Sequence, residues 1–309
     1  MAMKRFRVSG HSMAPALQPD QEVVAIGTRR PQPGNLVVFE HPGRPGFWMV
    51  KRLADETGWV TSDNEDHEHT DSRTLGRLHL DSLLPVIERL DEETFTLGTA
   101  MLAGEDEHLG RLVDRWGLPE FWHREPGFRT LVLLILEQQV SLESGAAMYR
   151  RLAALLGEVE ATNILSAGDE GLRSIGVTRQ KSGYLLGLAT MVEEGALDLV
   201  TLENTRAEEA RSTLLGIKGI GPWTADAYLL SASRRPDMWP VGDRALQVGT
   251  GDVLGMKSVP DEGQLEIIAT PWRPVRAIAA RLIWHAYLSE RGRVEPPNPT
   301  LVHELAPEA

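Results

Sequence analysis

Two patterns of apolar and polar positions divide the chain. Up to about residue 88, short apolar runs at Glu22–Ile26, Asn35–Glu40, Trp48–Leu53 and Trp59–Thr61 alternate with clusters of Pro, Gly, Asp and Asn. Short runs punctuated by turn formers predict β-strands, and several of them in so short a stretch predict a small barrel-like domain. From about residue 91 the apolar positions recur at helical spacing. Segments of this kind run over Phe95–Met101, His108–Trp116, Phe128–Val140, Leu142–Leu156 and Ser182–Glu194, then Ala207–Leu215, Ala225–Ser233 and Val275–Tyr287. Gly or Pro separates most of them, which predicts an all-α array. The expected organisation is a mainly-β domain over residues 1–90, an all-α domain over 91–292, and a Pro- and acid-rich flexible tail over 293–309.

Composition narrows the chemistry. The 309 residues leave room for two cores. There is no cysteine, which removes disulfides, thiolate zinc sites and Cys-ligated iron–sulfur clusters. No apolar stretch is long enough to span a membrane, and the basic N-terminus leads into no apolar segment of the secretory kind. A cytoplasmic monomer is the expectation. The formal net charge is -12, which argues against nucleic-acid binding. Residues 1–88 hold 10 of the 32 basic and 12 of the 44 acidic residues, so the helical part is the more acidic. A local basic face can still bind phosphates. Arg234, Arg235, Arg244, Arg273, Arg276 and Arg281 are the candidates for one, with weak, salt-sensitive binding expected. His67 and His69 show no metal-ligand spacing with other donors and are expected on a solvated loop.

The helical part is organised around residues 214–243. Gly216, Gly219 and Gly221 punctuate an apolar run, and Trp223, Thr224 and Ala225 then open a helix. A turn there leaves backbone N–H groups converging at a helix start, where the dipole adds positive potential, and this arrangement suits a phosphate. The plainer alternative for Gly-x-Gly alone is a tight helix–helix turn with Gly at the cap. Asp243 follows between Gly242 and Arg244, in a segment too polar for core. The longer string is more specific. Leu214, Ile217, Gly219, Ile220, Gly221, Trp223, Thr224 and Ala225, with Pro240, Gly242 and Asp243 after them, resemble the helix-hairpin-helix plus Gly/Pro-Asp motif of DNA glycosylases, most of all the 3-methyladenine DNA glycosylase II family. From Thr96 to about Glu290 the resemblance continues through Pro126-Gly127-Phe128, Glu137-Gln138-Gln139-Val140-Ser141, Leu172 to Leu185 with Lys181 and Tyr184, and Trp272 to His285.

This resemblance implies a monofunctional DNA glycosylase that removes alkylated bases of the 3-methyladenine type from double-stranded DNA in base excision repair. Asp243 would stabilise oxocarbenium character on the sugar and orient or deprotonate water; the competing role is a helix cap. The base must leave the duplex, and aromatic faces stack an electron-poor base. Trp223 and Trp272 are the expected pocket residues, with Trp122, Tyr184 and Gln138 behind them, although each aromatic taken alone is more often core. Gly219, Gly221, Thr224, Lys218 and Arg244 are the expected phosphate contacts. Glycosylases of this kind that also cut the backbone carry a Schiff-base lysine where this chain has Trp223, so no lyase step is expected. No cofactor is required. The resemblance adds a structural potassium or sodium ion on the carbonyls of Leu215, Ile217 and Ile220.

In the N-terminal part, Gly10, Ser12, Met13, Pro15 and Leu17 precede Val50-Lys51-Arg52 at the end of an apolar strand. A serine needs a base, and a lysine serves if burial lowers its pKa. The bland alternative is a turn-capping Ser12 and a solvated Lys51. Four boxes in order resemble the signal peptidase and SOS-repressor clan of Ser–Lys peptidases: Ser12, Pro33 to Phe39, Lys51, and Ser62-Asp63-Asn64 with Asp71, Ser72, Arg73 and Gly76. Asn35 replaces the usual Asp, and Ser62 the usual Gly. The resemblance implies Ser12 as nucleophile, Lys51 as general base, the Ser12 backbone N–H in an oxyanion hole, and an unidentified protein substrate. The alternative reading of the whole chain is a regulated cytosolic serine peptidase whose helical half is a DNA-binding or damage-sensing module.

Overall fold

In the computed structural model, residues 3–66, 70–122 and 124–301 are described, so His67 and His69 lie outside the description. The first 90 residues, as described, form six strands: β1 (Met3–Arg7), β2 (Glu22–Ile26), β3 (Leu36–Glu40), β4 (Trp48–Leu53), β5 (Val60–Thr61) and β6 (Leu84–Pro85), of which β2 to β5 fall on the four expected apolar runs. β1 and β2 pair antiparallel with Met3 opposite Ile26. A second antiparallel sheet runs β5-β4-β3-β6. A bridge between Ala25 and Val86 joins the two sheets. Side chains alternate across a strand. In β3, however, Leu36, Val37, Val38 and Phe39 are all buried, because apolar clusters cover both faces of the sheet.

One helical turn, α1 (Ser72–Leu75), lies within the β region. Twelve helices then follow: α2 (Glu92–Glu105), α3 (Glu107–Trp116), α4 (Phe128–Glu137), α5 (Leu142–Leu156), α6 (Ala161–Ser174), α7 (Arg179–Glu193), α8 (Leu199–Asn204), α9 (Ala207–Leu215), α10 (Pro222–Ser231), α11 (Arg244–Val253), α12 (Glu262–Ile268) and α13 (Arg276–Ser289). Helices α6, α8, α11 and α12 were not foreseen. Gly168, at φ 61°, breaks the run in α6, and Gly249 and Gly251 dilute the apolar face of α11.

The change of pattern near residue 90 does not separate two cores. Met3, Val24 and Ile26 of the first sheet share an apolar cluster with Phe95, Leu102 and Ile278. Burying each such side chain stabilises by ~1.5–3 kcal/mol. Arg29 reaches across to Asp91 and Glu93 at the start of α2. The segment expected to be loose from Arg293 also differs. Pro299 and Thr300 are buried, and a 3-10 turn over Pro299–Leu301 packs against α4 and α5. Residues 302–309 lie outside the description. No helix among the described residues is long and apolar enough to cross a membrane.

Candidate active site

The turn between α9 and α10 is built by glycine. Gly219 has φ +98°, a conformation open to Gly, and a Cβ there would sit 2.3 Å from Cγ of Tyr184. Gly221 caps α10 with no side-chain acceptor, and Pro222 follows at the first helical position. The first N–H groups of α10 therefore lack intrahelical partners, at a helix start that lines a cleft with Gly219, Gly221 and Thr224. Gln138 locks this hairpin to the end of α4, because its Nε2 donates to the Gly219 carbonyl at 2.8 Å and to Thr224 Oγ1 at 2.9 Å. Lys181 Nζ donates to the Leu136 and Gln138 carbonyls, capping the same helix end, and burial holds its pKa below the ordinary lysine value.

Asp243 lines the same cleft, in contact with Trp223 at the start of α10. It does cap a helix: Oδ1 accepts from Leu246 N–H at 2.7 Å, at the start of α11. The carboxylate also does more. Oδ1 accepts from Trp284 Nε1 at 3.0 Å, and Oδ2 from Trp223 Nε1 at 2.8 Å. A carboxylate offers about four lone-pair directions, so three donors fix its orientation and leave one direction for a ligand. Trp284 is the member that sequence reasoning missed as a site residue, although it stands within the closing-helix pattern.

Asp243, Trp223, Trp122, Tyr184, Gln138, Gly219, Gly221, Thr224, Ile220 and Arg244 all line one cleft of about 1090 Å³. Their individual surroundings refine the expectations. Trp122 is only 5 % exposed, with Arg281 over its ring at 5.7 Å and Phe95 and Phe121 against it. Tyr184 sets its ring against the hairpin glycine and so supports the turn. Trp272 does not belong to the cleft. It is 2 % exposed, donates from Nε1 to Asp106 at 2.8 Å, and packs edge-on against Trp239. The 3-10 turn over Thr270–Trp272 aims it into the core below α13. Lys218 is exposed beside the cleft, not among its lining residues.

The expected arginine face is not there either. Arg273 and Arg276 are paired with Asp237 and Glu266, Arg281 is paired with Glu295, and Arg235 is buried against the carbonyls of Glu203 and Thr205. Arg234 is half-buried over Phe121. Of these six, Arg244 alone is exposed, at the mouth of the cleft. At the proposed cation position, the Ile217 carbonyl accepts from Ile220 N–H at 3.0 Å, which closes the turn; Ile217 is buried and Leu215 exposed. Among the described residues no His, Asp or Glu cluster has metal-ligand geometry.

In the β region, the folded chain brings Ser12 and Lys51 together. Lys51 Nζ donates to Ser12 Oγ at 2.7 Å. Lys51 is 3 % exposed, and burial holds its pKa below the ordinary lysine value against the pull of Asp71 and Asp63. Asn64 braces the Ser12 loop, its N–H donating to the Ser12 carbonyl and its Nδ2 to that of His11. Ser62 Oγ is buried without a partner in the same region. Asp71 is fully buried, and Arg73 together with the Ser62 N–H holds its carboxyl below the ordinary range despite the burial. Asn35 accepts from Gln32 N–H and closes a turn.

Residues 132–274 match the family described as HhH-GPD superfamily base excision DNA repair protein. Over these residues the helical region is similar to that family. Its relatives include the DNA-3-methyladenine glycosylase of Bacillus subtilis, 25 % identical over 51 % of this chain and 56 % of that protein. DNA-3-methyladenine glycosylase 2 of Escherichia coli is 27 % identical over 51 % of this chain and 57 % of that protein. The chain thus spans little more than half the length of these relatives. Among solved structures, this chain superposes on the DNA-3-methyladenine glycosidase of Bacillus halodurans with TM-score 0.55 and 29 % identity, over 63 % of this chain and 91 % of that one. It shares its fold with Schizosaccharomyces pombe 3-methyladenine DNA glycosylase in complex with abasic DNA (TM-score 0.57, 23 % identity, over 61 % of this chain and 95 % of that one). The Ser12–Lys51 pair lies outside the matched residues.

Proposed function

We infer that this chain is a monofunctional DNA glycosylase that releases alkylated purines of the 3-methyladenine type from double-stranded DNA. The observation that carries the reading is the Asp243 carboxylate, held by three N–H donors, one of them Trp223 at the start of α10, in the cleft that the hairpin lines. Backbone N–H groups at the start of α10 hold a phosphate, with Lys218 and Arg244 adding charge. The flipped base enters between the indoles. As the bond from C1′ to the base nitrogen breaks, its electron pair leaves with the base, whose alkylation has already weakened that bond. The fixed carboxylate stabilises the cationic sugar and orients the water that adds to C1′; the proton of that water passes to Asp243. The product is an abasic site. The carbonyls of Leu215, Ile217 and Ile220 form an all-oxygen donor set suited to a hard monovalent cation, which would stiffen the turn.

The test is release of 3-methyladenine and 7-methylguanine from methylated duplex DNA at low salt, wild type beside Asp243→Asn. Release from the wild type is expected to fall by at least about a hundredfold in the variant with DNA binding retained. Equal release from both removes Asp243 from its role. Borohydride is expected to trap no covalent DNA adduct, since Trp223 stands where a Schiff-base lysine would be.

A second site has its own observation, the 2.7 Å contact between Lys51 Nζ and Ser12 Oγ within a buried pocket. Residues 1–90 are read as a Ser–Lys peptidase-like domain with Ser12 as nucleophile and Lys51 as base. Fluorophosphonate labelling of Ser12 is expected to rise with pH through a lysine pKa below the ordinary value and to vanish in Lys51→Arg. Labelling that is flat with pH, or retained in the variant, counts against the dyad.

A further inference from the structure

Three carboxylates besides Asp243 line the cleft; Glu143 and Glu295 are exposed and the third is buried. Glu137, the last residue of α4, lines it while being only 6 % exposed. Its Oε1 accepts from Arg124 Nη2 at 3.0 Å and its Oε2 from Arg124 Nη1 at 3.1 Å, a two-pronged pair. Arg124 lines the same cleft. Burial pushes the Glu137 carboxyl up, and Arg124 opposes this. A buried ion pair stabilises a fold little more than an apolar pair of the same volume would. Its place in the lining of a cleft that Trp122 and Trp284 also line therefore points to recognition.

The surroundings hold this carboxylate in place. Gly145 of α5 lies so close that a Cβ there would sit 2.6 Å from Glu137 Cγ. From the other side, Arg281 covers Trp122 and is itself tied to Glu295 of the C-terminal segment, which also lines the cleft. Each Glu137 oxygen takes one N–H from Arg124 and keeps a second lone pair. The wall thus presents fixed acceptors. An amino group bonds to such a wall, whereas a keto oxygen meets like lone pairs.

We propose that Glu137, held by Arg124, determines base specificity by accepting a hydrogen bond from the exocyclic amino group of the flipped purine. The cleft then takes alkylpurines that carry an exocyclic amino group in preference to purines that carry a keto group and no amino group. This rests on the glycosylase reading, with Asp243 as the reacting carboxylate and Glu137 as the reader. A site that bonds a substrate N–H discriminates strongly against the analogue lacking it, because its own buried acceptor is left unpaired.

The experiment compares release of 3-methyladenine and of hypoxanthine from duplex DNA by wild type, Glu137→Gln, and the double variant Glu137→Gln/Arg124→Gln. The double variant removes the carboxylate without leaving an unpaired guanidinium. The preference for 3-methyladenine is expected to shrink by about tenfold or more in both variants. An unchanged preference, or an equal loss for both bases, overturns the proposal. Quenching of tryptophan fluorescence by free 3-methyladenine and free hypoxanthine reads the same selectivity without turnover. If wild type releases neither base, the glycosylase reading fails. In that case, tighter quenching by 3-methyladenine that is lost in the double variant still supports Glu137, and equal quenching by the two bases overturns it.

Discussion

Asp243 joins a local structural role to the proposed chemistry. Its Oδ1 closes the first turn of α11, and the two indoles fix the plane in which its remaining lone pair points. Trp284 is therefore a positioning residue. Trp284→Phe removes the N–H at 3.0 Å and keeps an aromatic ring. In a base-release assay it is expected to lower kcat roughly ten- to a hundredfold, the scale of a hydrogen bond to a charged group, while KM changes little. A rise in KM at constant kcat would instead make the ring a binding surface. Asp243 and Trp223 were legible from the motif because their spacing follows the hairpin. The partnership of Trp284 was not, since α13 meets α11 only through tertiary packing. Trp272 was misplaced for the same reason: a tryptophan near the end of a helical pattern reads alike whether it faces a cleft or, as here, Asp106 and Trp239.

At the scale of elements, the hairpin α9–α10 depends on its glycine and on what packs beneath it. Gly219→Ala would place a Cβ 2.3 Å from the Tyr184 ring at φ +98°. The expected cost is ~1–3 kcal/mol. That corresponds to a melting temperature lower by about 2–4 °C for each kcal/mol, with weaker binding of abasic DNA, read by calorimetry and anisotropy. An unchanged melting temperature would mean that the turn yields freely. The strands and the long helices were legible because apolar period and punctuation agree along them. Helices α6 and α11 were not, because glycines interrupt their apolar faces and their burial is supplied by neighbours. The C-terminal segment looked unstructured from its Pro and acidic content, yet Glu295 finds Arg281, and Pro299 and Thr300 find α4 and α5.

Over the whole molecule, the β region and the helices share one apolar cluster and a charged seam. Arg29 on the β side bonds Asp91, which caps α2. Burial raises the Asp91 carboxyl, but Arg29 and Thr94 outweigh it and hold it at about 2 in the folded chain, against 3.8 for a free carboxyl. The unfolded chain takes up this proton first. The contribution to stability is therefore complete above about pH 4 and is lost as pH falls toward 2. Asp91→Asn is expected to lower the melting temperature at neutral pH, with the gap from wild type closing between about pH 4 and 2. A gap that stays constant with pH would show that the seam contributes nothing through this charge.

By itself, the sequence determined the two patterns, the hairpin with its glycines, the helix opening at Trp223, and the two reactive candidates Asp243 and Ser12. These are local features, and short-range sterics and capping suffice to place them. Tertiary structure decided which distant groups meet. It joined Lys51 to Ser12, Trp284 to Asp243 and Arg124 to Glu137. It also paired Arg273, Arg276 and Arg281 with carboxylates, which removes them from the expected arginine face, and ran the apolar core across the expected boundary at residue 90. Burial and ion pairing are properties of neighbours in space, and a charge read along the chain carries no information about the partner that will neutralise it.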